Sequence, residues 1–228
     1  MSRQALIPLL ASLALATSAC TSVSVYQTGK TLPKGKGQMG YAMGGGKART
    51  KAAIPGFDVD LPSLTAEFWG RYGFTSRAEA GLKYSLPGSL TVDARYGILR
   101  EIDGAPVSLA AGLGFAASSV STEHSTFEDK TSIRDLIVPL YVSRDLSDGV
   151  SAYVTPRYVR RFIANERTEA SPATEYINAD MLGMGGGLMF NLGKAKTTHL
   201  TMEYQLVYEP ADPSHYTQNT GMAIAFDF

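Results

Sequence analysis

The 228-residue sequence has one cysteine, three histidines and no surplus of either charge. Each shortage excludes something. A lone cysteine, Cys20, cannot close an intramolecular disulfide, so no disulfide framework holds the fold. Lys+Arg and Asp+Glu both number 21, which leaves a formal net charge of zero. Without a basic excess there is no electrostatic footprint for nucleic acid or for an anionic membrane surface. Charged residues are only 18 % of the chain, below the roughly 25 % of ordinary soluble domains. No apolar run reaches the about 20 residues that a membrane-spanning helix needs. Apolar residues do not recur at intervals of three and four, so convincing amphipathic helices are missing as well. No Cys/His cluster has zinc spacing, and no Asp/Asn loop matches the calcium-binding pattern. The run Gly44-Gly45-Gly46-Lys47 lacks the earlier glycine, the following Ser/Thr and the helix of a phosphate loop. No cofactor is implied.

What is present begins with export. Arg3 gives a basic start, Ala5 to Ala16 is almost wholly apolar, and Thr17-Ser18-Ala19 are small. That order is a secretory signal peptide, assigned to residues 1–19. Thr17-Ser18-Ala19-Cys20 resembles a bacterial lipobox, departing from it at Thr17, where leucine is usual. The resemblance implies that Cys20 is acylated and becomes the first mature residue. With Thr21 rather than Asp next, it also implies onward transport to the outer membrane. Residues 20–37, rich in Ser, Thr, Gly, Lys and Pro and without a period, read as a lipidated tether.

From residue 38 onward the recurring signal is alternation at period two, the mark of strands with two unlike faces. Leu90, Val92, Ala94, Tyr96 and Ile98 share one face, and Thr91, Asp93, Arg95 and Gly97 the other. The pattern predicts strands at 38–47, 63–74, 78–86, 90–99, 107–118, 133–144, 150–162, 176–192, 199–208 and 219–228. Short connections alternate with longer polar ones, as periplasmic turns and external loops do. The tight Pro87-Gly88 connection is the exception. The fold expected is all-β: a closed antiparallel transmembrane β-barrel of about ten strands spanning 38–228. The chain ends Met222-Ala-Ile-Ala-Phe-Asp-Phe228, which resembles the C-terminal signature of bacterial outer-membrane β-barrels. That resemblance implies recognition of Phe226 and Phe228 by the barrel insertion machinery.

Charge placement sets the sidedness. A midplane Arg or Lys facing lipid costs about 2–4 kcal/mol, so the charged face belongs to the lumen. The expected lumenal set is Glu67, Arg71, Glu79, Lys83, Asp93, Arg95, Arg157, Arg161, Glu203 and Asp227. An even-register hairpin across Thr75-Ser76-Arg77 sets Glu67 level with Lys83 and Arg71 level with Glu79. A three-residue Pro87-Gly88-Ser89 loop, with Gly88 at positive φ, sets Asp93 beside Lys83.

A barrel enzyme needs a nucleophile or activated water beside a base. His124 adjoins Ser125 and His215 adjoins Ser214, both in expected external loops, but adjacent residues point apart. Neither pair resembles the motifs of outer-membrane deacylases or phospholipases, and no strand-top Asp-His pair matches the ten-strand omptin proteases. The expected function is therefore non-enzymatic: a narrow pore, or a structural or partner-binding surface component. The alternative is a barrel enzyme acting on lipid or peptide at the outer face. Outer-membrane lipid and the insertion machinery are the expected partners, nucleic acid is not, and the N-terminus is expected in the periplasm.

Overall fold

The computed structural model describes residues 25–51, 58–86, 88–123, 128–168 and 173–228. The segment expected to be a signal peptide, Cys20, Pro87, His124 and parts of three long connections lie outside the described residues. Ten strands follow in chain order: β1 (Gly37–Lys51), β2 (Asp58–Gly73), β3 (Ala78–Leu86), β4 (Ser89–Leu99), β5 (Ser108–Glu123), β6 (Glu128–Ser147), β7 (Val150–Thr168), β8 (Ala173–Leu192), β9 (Thr198–Glu209) and β10 (Asp212–Asp227). Each pairs antiparallel with its sequence neighbours, and β1 pairs with β10, so the sheet closes with no free edge. A single 3-10 turn at Glu101–Asp103 joins β4 to β5, and no α-helix occurs among the described residues.

The strands run beyond the predicted ends. Much of 119–132 and 163–175, read from sequence as external loops, is paired ladder between β5 and β6 and between β7 and β8. β10 begins at Asp212, not at 219. These extensions are Ser, Thr, Asn, Arg and Glu rich, so hydrophobic alternation fades there. Backbone pairing nevertheless continues, because each N–H and C=O still gains a partner.

The two faces are sharply unlike. On β6, Val142, Leu140, Val138 and Leu136 face outward between Arg144 and Arg134. Ten residues of strand tilted by about 40° rise about 25 Å, which is the height of the apolar band of an outer-membrane barrel. The exposed Arg160–Asp180 pair, 2.9 Å apart between β7 and β8, lies at the edge of that band. Tyr72, Phe74, Tyr96 and Phe228 ring the rim that holds both ends of the barrel, here the terminal rim. Phe162 and Tyr176 lie toward the opposite rim. Aromatic girdles of this kind sit at membrane–water boundaries.

Two hairpin registers differ from expectation by two residues, which leaves every side chain on its expected face. Trp69, not Glu67, lies opposite Lys83, and Gly73, not Arg71, opposite Glu79. The turn is widened because the Thr75 hydroxyl accepts the backbone N–H groups of Arg77 and Ala78. Asp93 lies opposite Gly81, not Lys83, because the β3–β4 turn closes from Ser85 to Ser89, with Gly88 at φ 152° donating to the Ser85 carbonyl.

The largest correction concerns the tether. Residues 25–32 are not a solvated linker: Tyr26, Gln27, Thr28 and Leu32 are buried inside the barrel. From Gly37 at the terminal rim the chain runs backward past the β2–β3 turn and crosses the lumen. Leu32 lies beside Glu79 of β3, Gly29 beside Ser143 of β6, and Tyr26 beside Glu203 of β9. The segment looked solvated because its side chains are small and polar. In a polar lumen, charged side chains take the place of water as partners for its backbone.

Candidate functional site

The lumen is built from strand residues of one parity and from this crossing segment. All ten charged residues expected on the inward face are there by register, and Glu67, Arg71, Glu79, Arg95, Arg157 and Glu203 are buried. Five of the six buried ones, Arg71, Glu79, Arg95, Arg157 and Glu203, build two clusters, each gripping the segment by its backbone.

The first centres on Glu79, whose side chain is fully buried. One carboxylate oxygen accepts Arg71 Nη1 at 2.9 Å and Arg95 Nε at 2.7 Å. The other accepts the Leu32 N–H at 2.6 Å. Arg95 then donates to the carbonyls of Thr28 at 2.6 Å and Lys30 at 2.7 Å, with its guanidinium 5.1 Å from the centre of the Tyr141 ring. Arg71 also donates to Asp93. Asp93 thus serves Arg71 rather than Lys83, while Lys83 stands 3.7 Å from Glu67. Several charge-assisted bonds on one buried carboxylate offset the cost of taking it out of water.

The second centres on Glu203. Its oxygens accept the N–H groups of Val25 at 3.0 Å and Tyr26 at 2.7 Å, the Tyr153 hydroxyl at 2.5 Å, and the Gln205 amide. Gln205 in turn accepts Arg157 Nη2 at 3.0 Å. The Tyr26 ring stacks on Trp69 at 6.0 Å, in a small buried cluster with Ala42, Ala223 and Ala225. Gly221 is required here: a Cβ on it would lie 1.9 Å from the Tyr26 hydroxyl. Gly29 is similarly constrained, since its Cβ would lie 2.4 Å from the Ser108 carbonyl oxygen.

Beside these clusters lies a cavity of about 60 Å³, partly open to solvent, walled by Trp69, Arg71, Lys83, Thr91, Tyr141 and Arg157 among others. Two of the expected charges stand apart from it. Arg161 makes a two-pronged bond to Asp135 higher in the barrel, at 2.8 and 2.7 Å. Asp227 sits at the terminal rim, accepting Gln38 at 2.7 Å and lying 2.9 Å from His199 Nε2. Phe226 faces outward, and Phe228 exchanges backbone hydrogen bonds with Gly37. Tyr26, Asp135, Tyr141, Tyr153 and Gln205 were not singled out from the sequence. Tyr153 shares inward parity with Arg157 on β7 and Gln205 with Glu203 on β9, so extending those alternations finds them, whereas no β6 residue of the expected set gives the parity of Asp135 and Tyr141.

The histidines do not assemble a catalytic group among the described residues. Both ring nitrogens of His199 are occupied, by Asn191 at 2.8 Å and by Asp227. The Ser214 hydroxyl donates to Asp212 at 2.6 Å rather than to His215, which leans on Glu209 at 3.4 Å. No group of three potential metal ligands occurs among the described residues.

The fold has solved counterparts. The translocator domain of the autotransporter NalP from Neisseria meningitidis superposes with a TM-score of 0.50 at 10 % identity, over 97 % of each chain. The Escherichia coli outer membrane protease OmpT gives 0.48 at 11 % identity, over 88 % of this chain and 100 % of that one. The attachment invasion locus protein Ail of Yersinia pestis gives 0.44 at 14 % identity, over 86 % and 99 %. These likenesses concern the fold. No curated protein sequence matches the chain. Residues 57–228, three quarters of the chain, match the family described as "Membrane bound beta barrel domain (DUF5777)". Barrel closure, the outward apolar band and this match agree: the chain belongs to that family and is an outer-membrane β-barrel.

Proposed function

We propose that this protein is a non-enzymatic outer-membrane barrel closed by its own N-terminal segment, serving as a structural or partner-binding surface component rather than as an open pore. The observation that carries this reading is the run of backbone hydrogen bonds from Glu203, Ser143, Arg95 and Glu79 to residues 25–32. A ten-strand barrel has a narrow lumen that side chains largely fill, and here a peptide strand crosses it as well. In this reading the terminal rim is periplasmic, Cys20 is the acylated first mature residue, and Phe226 and Phe228 are read by the insertion machinery. His199 engaging Asn191 and Asp227, and His215 leaning on Glu209 rather than on the Ser214 hydroxyl, support the non-enzymatic reading over a hydrolase at the outer face. Liposome swelling tests it. Liposomes holding the refolded protein are expected to remain as impermeable to small sugars as empty ones, and rapid swelling would favour the pore.

A further inference from the structure

We propose that the mid-lumen cavity is a binding site for a small oxyanion, a carboxylate or phosphate group. This goes beyond the proposed function and does not depend on whether the barrel conducts. The cavity wall offers hydrogen-bond donors that nothing in the protein accepts. The Trp69 indole N–H, the Thr91 hydroxyl and Arg71 Nε are all buried without a partner, on residues 7 %, 5 % and 6 % exposed, and all three residues line the cavity. A buried donor left unmade costs about 1–3 kcal/mol, so three on one wall favour a ligand rich in acceptor oxygens. The charge balance points the same way. Arg71, Lys83 and Arg157 line the cavity against two carboxylates, Glu67 and Asp93. Asp93 is held by Arg71, and Glu67 lies 3.7 Å from Lys83. Val25 and Tyr26 of the crossing segment complete the lining, and Tyr26 covers one face of the Trp69 ring. The indole therefore meets a ligand through its N–H more readily than by stacking.

The chain supplies its own probe, because Trp69 is its one tryptophan. The refolded full-length protein would be titrated with sodium acetate and, separately, sodium phosphate, at ionic strength held constant with sodium chloride. Trp69 emission and the urea unfolding midpoint would both be followed. A saturable change in either signal with acetate, phosphate or both is expected, and the pattern assigns the carboxylate or phosphate source. Thr91→Val, close in volume but without the hydroxyl, is expected to weaken half-saturation about tenfold by removing one hydrogen bond to a charged group. Glycerol is expected to give no saturable response. The proposal is overturned if neither anion changes emission or midpoint beyond chloride, if glycerol acts equally, or if Thr91→Val binds like the wild type.

Discussion

Replacing Glu79 by glutamine is the most informative single perturbation of the lumen. The amide keeps the shape of the side chain and removes its charge. Arg71 retains Asp93, but Arg95 loses the carboxylate it donates to while remaining only 6 % exposed. Breaking a buried pair from one side costs about 3–5 kcal/mol, because the surviving charge stays buried. With a urea m-value of about 2 kcal/mol/M, the unfolding midpoint of the refolded barrel is expected to fall by about 2 M. Adding Arg95→Gln removes the stranded charge while keeping a donor toward the Thr28 and Lys30 carbonyls, so the double variant is expected to recover part of the loss. Lys83→Met is the contrast. Its ion pair is long, at 3.7 Å, and its side chain is 15 % exposed, so its midpoint is expected to fall by clearly less. Urea titration followed by gel-mobility shift measures all three. If Glu79→Gln matches the wild type, or if Lys83→Met costs more, the ranking of the two ion-pair groups is wrong.

Tyr26→Ala removes the ring stacked on Trp69, and Trp69 emission is expected to shift red and to become more open to acrylamide quenching. An epitope tag placed at 124–127 is expected to be reached by antibody on intact cells and one at Asp148 not, since these positions lie at opposite ends of β6 and its hairpins; the reverse pattern would invert the barrel. Labelled palmitate is expected in the mature protein and not in Cys20→Ser, and label persisting in that variant would overturn the lipid anchor.

The faces of the strands were legible in the sequence because parity survives errors of register. Glu67, Arg71, Glu79 and Arg95 face inward whether a hairpin closes one step higher or lower, so long as the slip is even. Which charge meets which was not legible. Pairing depends on turn detail, such as the Thr75 hydroxyl capping two backbone N–H groups, and on side chains reaching diagonally, as Arg71 does to Glu79 across a two-residue offset. The crossing segment was hidden for another reason. Residues 25–32 have no period, and their partners come from strands far apart in the chain: Glu79, Arg95, Ser143 and Glu203. Two features hinted at it. Tyr26 is the one aromatic residue between Cys20 and Gly40, and glycines such as Gly221 stand at inward positions of strands. Glycine on a lumenal face leaves room for something to approach, and here Tyr26 fills it.

Single-channel recording in planar bilayers tests the closed lumen most directly. The refolded full-length protein is expected to give no sustained conductance, and a variant lacking residues 25–36 to give discrete open-channel steps, because the deletion removes every backbone group that Glu79, Arg95 and Glu203 hold across the lumen. Steady conductance from the full-length protein equal to that of the deletion variant would contradict the account.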